Sequence, residues 1–454
     1  MGITAVDAVA RELLLFAAAG LLVGGLDDLL IDLLFLARLL LRRGGGAPRL
    51  PAVPATVPPR RLAVMVAAWR EAGVIGTTLA RMVERYAHDD YLIFAAAYPN
   101  DPATIDAIAA VAERDPRIRL VVNRRAGPTT KADNLNAAWG ALEREEAASG
   151  RAFAAVLLHD AEDLVHPDEL AVCAALIGEV DVVQLPVVPL VHRRSRFVSG
   201  HYADEFAEHH GKGLIVRSAL GAGMPLAGTG CAIARPMLAR LAAERDGAPF
   251  DPTSLVEDYE LGLAIAARGG RDRFARFRDA GGALVAVRAY FPLEFTAAAR
   301  QKARWMTGIA LAGWDRTGWA PARALTDHWM RARDRRAPLA VVVLAAAYGA
   351  LLAGALADVG HAWRGEPLPA LVPAWLLQAN VGLLAWRLAV RAAFTTRGYG
   401  WREGMFAVPR FVVGNVVALA AAPRALVAYL SMLLGAAPVW DKTDHEVPDI
   451  EALA

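Results

Sequence analysis

Three short clusters of charged residues lie far apart in this chain, and each lies beside an apolar segment. They are HDAED at residues 159–163, Glu257-Asp258, and QKARW at residues 301–305. Carboxylates that converge repel one another unless a cation lies between them, and oxygen ligands suit Mg²⁺ or Mn²⁺. A metal ion, a carboxylate base and an Arg-Trp pair together form the set of groups that moves a sugar from a nucleotide to an acceptor.

The first cluster follows the apolar run 153–158, which has the composition of a buried strand. Asp160 and Glu162 are two residues apart, so an extended backbone directs both carboxylates to one face. We therefore predict that these two residues are metal ligands. The alternative is a solvated acidic turn.

The second cluster, Glu257-Asp258, opens a helical pattern. We predict that both carboxylates are catalytic and that Asp258 is the general base, which takes the proton of an acceptor hydroxyl as that hydroxyl attacks the sugar. The alternative is that they only cap the helix.

The third cluster places Gln301, Arg304 and Trp305 on one helical face. Arg304 has the planar fork that grips a diphosphate, and Trp305 offers a flat apolar platform for a sugar ring. All three are predicted substrate-binding residues. The alternative is an amphipathic helix at a membrane surface, where Arg and Trp are common.

Further substrate-binding residues are predicted at turns and strand ends. In the loop GPTTKADNLN, residues 127–136, Lys131 and backbone N–H groups are placed to hold phosphate. The others predicted are Glu71, Asn100, Asp101, Asp133, Asn136, Gly230 and Cys231. The alternatives are an Asx turn at residues 100–102, plain turn geometry at residues 228–231 and a surface position for Glu71.

Strand-like and helical patterns alternate between residues 61 and 290. Strands are predicted at 62–69, 91–98, 118–123, 153–159 and 180–187, and helices at 73–86, 102–114 and 131–146. This alternation predicts an α/β, Rossmann-like domain with a mostly parallel sheet. Ligands bind beyond the carboxyl ends of strands in such sheets, where several of the motifs fall.

The amino-acid composition indicates a membrane protein. The chain has 454 residues, of which 56% are hydrophobic, and its mean hydropathy is +0.31. A net charge of +2 gives no signal for nucleic acid as a partner. Cys173 and Cys231 alone cannot form a disulfide framework, which fits a reducing cytoplasm.

Apolar segments on both sides of the α/β domain predict how the chain is divided. The predicted divisions are a transmembrane helix in 1–43, a linker 44–60, the catalytic domain 61–320, a linker helix and transmembrane pair in 321–403, interfacial or re-entrant helices in 404–436, and a cytoplasmic tail 437–454. A surface helix at the N-terminus and a further span within 404–436 are the alternatives. Basic residues after the apolar segments place the domain in the cytoplasm.

Taken together, the three clusters resemble those of membrane-bound family 2 glycosyltransferases, which include cellulose- and hyaluronan-synthase-like enzymes. A closer likeness, to the bacteriophage adsorption protein B type, rests also on LDDLLID (26–32), YPNDP (98–102) and WDKT (440–443). The resemblance implies a GT-A fold, a UDP-sugar donor, Mg²⁺ or Mn²⁺, and transfer with inversion. Glu162 departs from the commoner second Asp of the metal motif.

The same resemblance implies a multi-pass protein of the bacterial inner membrane that adds N-acetylhexosamine to an exported surface polysaccharide. An oligomer or an outer-membrane export partner would then complete the route. Two other functions stay open from the sequence: a single-transfer enzyme acting on a lipid carrier, and a non-catalytic membrane scaffold or receptor.

Overall fold

The computed structural model describes residues 3–41, 51–54, 56, 58–367 and 369–436. The strands are β1 Leu62–Ala67, β2 Tyr91–Ala97, β3 Ile118–Val122, β4 Ala155–His159, β5 Val182–Gln184, β6 Val187–Leu190, β7 Cys231–Ala234, β8 Asp272–Phe274 and β9 Val287–Tyr290. The helices are α1 Ile3–Leu41, α2 Ile75–Arg85, α3 Pro102–Ala112, α4 Lys131–Ser149, α5 Glu169–Leu176, α6 Val198–Glu208, α7 Leu214–Ala219, α8 Arg235–Ala243, α9 Glu257–Ala267, α10 Phe295–Trp305, α11 Ala312–Thr317, α12 Leu325–Arg335, α13 Ala337–Arg364, α14 Ala374–Tyr399 and α15 Trp401–Leu433. Short 3₁₀ or π turns occupy Arg193–Ser195, His209–Gly213 and Met306–Leu311.

Seven strands form the central sheet in the order β3-β2-β1-β4-β7-β5-β8. Only β7 runs antiparallel to its neighbours, so the predicted α/β fold with a mostly parallel sheet is confirmed. Strands β1, β2 and β4 are buried along their whole length, because helices cover both faces of the sheet. Parallel pairing of β1, β2 and β4 brings their carboxyl ends to one edge, where the first charged cluster lies.

One of the predicted strands forms two separate strands in the structure. The segment predicted as a single strand, 180–187, divides at Pro186 into β5 in the large sheet and β6, which pairs with β9 in a separate two-stranded sheet. Proline has no N–H to donate to a ladder, so the chain leaves the first sheet at this residue.

Three of the described helices are long and apolar enough to cross a membrane: Thr4–Leu41, Ala337–Arg364 and Trp401–Leu433. The second member of the predicted transmembrane pair forms α14, which is not among them and carries Arg387 and Arg391. Most of the predicted linker and the whole predicted tail 437–454, with the WDKT motif, lie outside the described residues.

Most of the region 404–436, where interfacial or re-entrant helices are predicted, lies in one continuous helix, α15. The position of this helix relative to a membrane stays a prediction. Arg410, a charged residue within this apolar helix, is 0% exposed and lies against the catalytic domain. Its guanidinium pairs with Asp204 at 3.1 Å and with Glu403, and it donates to the Arg196 carbonyl oxygen at 2.8 Å. Carboxylates and a carbonyl group of the protein therefore compensate this buried charge.

We expect Arg410→Met to destabilise the protein by about 3–5 kcal/mol, because it leaves the buried Asp204 carboxylate without its cation. The measurement is thermal unfolding of detergent-purified protein. Arg424→Met is the matched control, since Arg424 lies exposed on the same helix. Equal unfolding temperatures for the two variants would show that the buried pair does not stabilise the fold.

Acidic residues inside α1 also face protein. Asp27 and Asp28 pair with Arg333 and Arg336, which flank the end of α12. Asp32 pairs with Lys212 and accepts a hydrogen bond from the Trp386 indole at 2.8 Å. These carboxylates would be costly in lipid. The ion pairs that remove this cost also join α1 to the end of α12 and, through Lys212, to the catalytic domain.

Candidate active site

Asp160 and Glu162 follow directly after β4, and both line a cleft at the carboxyl edge of the sheet. A network beneath them holds this turn. The His159 imidazole lies between two carboxylates, with Nδ1 2.9 Å from Asp163 Oδ2 and Nε2 2.7 Å from Glu169 Oε1. Asp163 Oδ2 also accepts the backbone N–H of Asp160 at 2.8 Å. The network therefore orients the two predicted metal ligands.

The imidazole in this network carries charge. Burial alone lowers the pKa of His159, but the Glu169 and Asp163 carboxylates reverse this effect and raise the pKa to about 10. A buried imidazolium between two carboxylates offsets part of the negative charge behind the cleft.

Lys131 connects the first two clusters. Thr130 caps α4 by accepting the Asp133 N–H at 3.3 Å, and this cap places Lys131 at the first helical position. The Lys131 ammonium donates to Asp160 Oδ1 at 2.5 Å and to the Gly228 carbonyl at 3.2 Å, and it lies 3.9 Å from Glu257 Oε1. Lys131 lines the cleft, where its ammonium bridges carboxylates, and its predicted contact with phosphate stays a prediction.

Asp258 lies in the first turn of α9, next to Glu257, and both line the cleft. Burial and the neighbouring Glu257 charge raise the pKa of Asp258 to about 7, although Lys131 opposes the shift. A carboxyl group with this pKa accepts and releases a proton near neutral pH, which suits a general base.

Helix α10 supplies Gln301, Arg304 and Trp305 to the same cleft. Trp305 belongs to an aromatic wall with Phe206 and Phe291, whose ring centres each lie 6.4 Å from its own. Neither phenylalanine is among the site residues predicted from the sequence. Glu71 follows Arg70 in the loop after β1, and it also lines the cleft.

Six predicted binding residues are not in the cleft wall: Asn100, Asp101, Asp133, Asn136, Gly230 and Cys231. Asn100 makes two 2.7 Å hydrogen bonds to the Gly127 backbone, and Asn136 brackets the Phe250 backbone at 2.7 and 3.1 Å. Both amides thus hold loops that border the cleft. The Asn100 contacts reach across 27 residues and are not the Asx turn that is the alternative for residues 100–102, and a role of these two residues in substrate binding stays a prediction.

The other four have structural contacts as well. Asp101 accepts the Arg70 N–H at 2.5 Å, and Asp133 accepts the Thr129 hydroxyl at 2.9 Å. Gly230 has a left-handed backbone, φ +57°, beside Val287, whose Cγ2 would lie 2.7 Å from an added Cβ. Cys231 is buried at the start of β7, where it pairs with Leu158.

The donor set in the cleft fits a hard divalent cation. Asp160 and Glu162 offer oxygen atoms only, and Glu257 and Asp258 add negative charge that Lys131 and Arg304 only partly offset. Among the described residues, no group of three or more His, Cys, Asp or Glu side chains forms a complete metal site. Mg²⁺ and Mn²⁺ sites commonly use one or two carboxylates and complete their coordination with water and substrate phosphates.

The fold and this cleft define a glycosyltransferase, and the comparisons with known proteins agree. The profile of the family described as "Glycosyltransferase like family 2" matches residues 58–308, more than half of the chain. The chain belongs to family 2 of the glycosyltransferases. It is similar to "Bacteriophage adsorption protein B" of Escherichia coli (strain K12), with 35% identity over 94% of this chain and 61% of the relative.

The same identity and coverage hold for "Bacteriophage N4 adsorption protein B" of Escherichia coli O157:H7. The chain thus spans about three fifths of the length of these curated relatives. Among solved structures, the mannosyltransferase PcManGT from Pyrobaculum calidifontis, in complex with GDP-Man and Mn²⁺, has a TM-score of 0.53 at 20% identity. This likeness covers 89% of this chain and 99% of the mannosyltransferase, and it shows a common fold.

Proposed function

We propose that this protein transfers a sugar, an N-acetylhexosamine, from a UDP-sugar to a growing surface polysaccharide, with inversion and in a metal-dependent reaction. The observation that carries the proposal is the convergence of three distant motifs in one cleft, where Asp160, Glu162, Asp258, Arg304 and Trp305 all line the wall. The mannosyltransferase of similar fold was solved with a nucleotide sugar and Mn²⁺, which supports the donor class and the metal.

The chain's own residues have separate tasks in the reaction. Asp160 and Glu162 would hold Mg²⁺ or Mn²⁺, which when bound neutralises the departing diphosphate. Asp258 takes the proton of the acceptor hydroxyl as its oxygen bonds to the anomeric carbon. The bond from that carbon to the diphosphate oxygen breaks, its electron pair leaves with the diphosphate, and Arg304 stabilises the charge. Attack opposite the leaving group inverts the configuration.

The aromatic wall of Trp305, Phe206 and Phe291 supports an acceptor that presents sugar rings, because flat apolar rings pack on aromatic faces. Within the described part of the chain, three helices are long and apolar enough to span a bilayer, and they support a membrane location. We propose the bacterial inner membrane with the catalytic domain in the cytoplasm, and export of the product through an oligomer or an outer-membrane partner.

A single transfer to a lipid carrier is the second candidate, since the same cleft and membrane helices serve it equally well. Product length separates the two functions. A ladder of products of increasing length supports the processive polymerase, whereas one added sugar on a lipid supports the single-transfer enzyme. A membrane scaffold without catalysis would bind neither UDP nor Mn²⁺ in titration calorimetry.

Catalysis should depend on pH through Asp258. Because the pKa of Asp258 is about 7 in the protein without metal, its carboxylate is lost as pH falls through neutrality, and kcat/KM should fall with it. Bound cation moves this limb to lower pH. Lys131→Met removes a charge that lowers the pKa of Asp258, so the limb should move to higher pH. A kcat/KM profile that stays in place or moves down in Lys131→Met would contradict this assignment.

The experiment that tests the proposed function is turnover of purified protein with Mn²⁺ and a panel of UDP- and GDP-sugars. Mass spectrometry identifies the product, and release of free nucleotide diphosphate gives the rate. We expect turnover with a UDP-N-acetylhexosamine and a product of opposite anomeric configuration to the donor. Turnover with GDP-sugars alone would overturn the donor assignment, and no turnover with any donor would overturn the function.

A further inference from the structure

A π-helical turn, Met306–Leu311, follows directly after Trp305. Such turns are rare and occur mostly at functional sites. One side of this turn faces two of the membrane-type helices. Thr307 is buried and donates to the Ala425 carbonyl of α15 at 3.2 Å, and Met306 packs in a cluster with Val341 of α13 and Ala421 and Ala425 of α15.

The other side of the turn faces the catalytic helix α9. A Cβ added to Gly308 would lie 2.6 Å from Val256 Cγ1 and 2.7 Å from Val256 Cγ2, so the Gly308 backbone touches the valine directly. Ile309 and Trp305 pack against the same cluster, which contains Val256, Tyr259 and Leu263. Val256 immediately precedes Glu257 and Asp258, and it is the N-cap residue of α9.

The turn itself is held in place. A Cβ at Gly313 would lie 2.3 Å from the Gly308 carbonyl oxygen, because α11 continues the π turn without a break and leaves no room for a side chain there. Thr307 donates a hydrogen bond to α15, and the next residue, Gly308, contacts Val256. Two adjacent residues thus contact a membrane-type helix and the start of the catalytic helix. The described contacts thus form an unbroken route from Ala425 to Glu257.

We propose that Gly308 is a positioning residue that acts through Val256 to place Glu257 and Asp258 opposite Asp160, in register with α15. The inference rests on the proposed function, since it assigns a role for the same catalytic pair. In this role the contacts of the π turn keep the catalytic pair in a fixed position relative to α15.

The test adds a methyl group on the Gly308 side of the contact with Val256 and removes methyl groups on the Val256 side. In Gly308→Ala the new Cβ crowds Val256, whose β-branched side chain has a stiff χ1 and cannot turn away. The start of α9 must shift, and since a misplacement of about 1 Å costs about 10²-fold in rate, kcat should fall by about that factor. The donor KM should stay unchanged, because Asp160, Glu162 and Arg304 lie on other elements.

Val256→Ala alone loosens the same contact and should also lower kcat. Combining it with Gly308→Ala returns a methyl group to the interface, so the double variant should recover most of the wild-type kcat. Gly354→Ala in α13 is the matched control, because nothing lies within 4 Å of its added Cβ. It should behave as wild type.

Amide hydrogen exchange over residues 254–262 gives a readout that does not need turnover. Exchange should be faster in each single variant than in wild type and should slow again in the double variant. If Gly308→Ala does not fold, Val256→Ala must still show both effects. Wild-type kcat and exchange in Gly308→Ala, or no recovery in the double variant, would overturn the positioning role. Absence of turnover in the wild type would instead overturn the proposed function, and the exchange data would then still decide the contact.

Discussion

Asp258→Asn is expected to lower kcat by about 10²–10⁴-fold, the range that a general base contributes. The amide keeps the size and the hydrogen-bond acceptor of the carboxyl group but cannot take the proton of the acceptor hydroxyl. Asp258 is placed for this role at the start of α9, where burial and Glu257 raise its pKa to about 7. Affinity for UDP with Mn²⁺ should stay at the wild-type value, because the predicted metal ligands are untouched.

The control for this variant is Asp106→Asn, an identical chemical change on the exposed side of α3. Its kcat should match that of the wild type. Retention of wild-type kcat by Asp258→Asn would show that another group takes the proton. Glu257, which lies beside it in the cleft, would then be the first residue to examine.

The double variant Asp160→Asn, Glu162→Gln is expected to lose Mn²⁺ binding and to lower turnover by about 10³-fold or more, because a metal ion contributes several kcal/mol to stabilising transition-state charge. Both carboxylates line the cleft after β4, and neutral amides are poor ligands for a hard cation. Electron paramagnetic resonance of Mn²⁺ in the presence of UDP measures the loss of binding directly.

Glu84→Gln, Asp89→Asn is the matched control, since it removes two exposed carboxylates near the other end of the sheet. It should bind Mn²⁺ as the wild type does. Equal Mn²⁺ affinity in the Asp160/Glu162 variant would place the metal elsewhere in the protein. Excess Mn²⁺ should restore part of the activity to a single Asp160→Asn variant, because Glu162 remains.

Much of this fold could be predicted from local patterns. The apolar runs that become β1, β2 and β4 are buried on both faces, so their composition alone distinguishes them from helices. The common location of the charged motifs could also be predicted, since they lie at strand ends and helix starts and the carboxyl ends of parallel strands meet at one edge. The sequence therefore sufficed to predict that Asp160, Glu162 and Asp258 share a cleft.

Side-chain partners that come from distant segments could not be predicted in the same way. Lys131 donates to Asp160, which is 29 residues away and which no local pattern identifies as its partner. The charge of Arg410, within the apolar helix α15, is compensated by Asp204, which only the folded protein places beside it. The same holds for Asn100 and Asn136, whose amides satisfy backbone groups of neighbouring loops. A polar residue in the sequence indicates that its side chain needs a hydrogen-bond or ion-pair partner, but it does not identify that partner.

The measurement that most directly tests the central claim is a structure of the purified protein with UDP and Mn²⁺, with the metal located by anomalous scattering. The account predicts one Mn²⁺ peak within coordination distance of the Asp160 or Glu162 carboxylate, with the diphosphate beside it and Asp258 facing the space for the sugar. A Mn²⁺–UDP complex bound outside this cleft, or with Asp258 turned away from the donor, would contradict it.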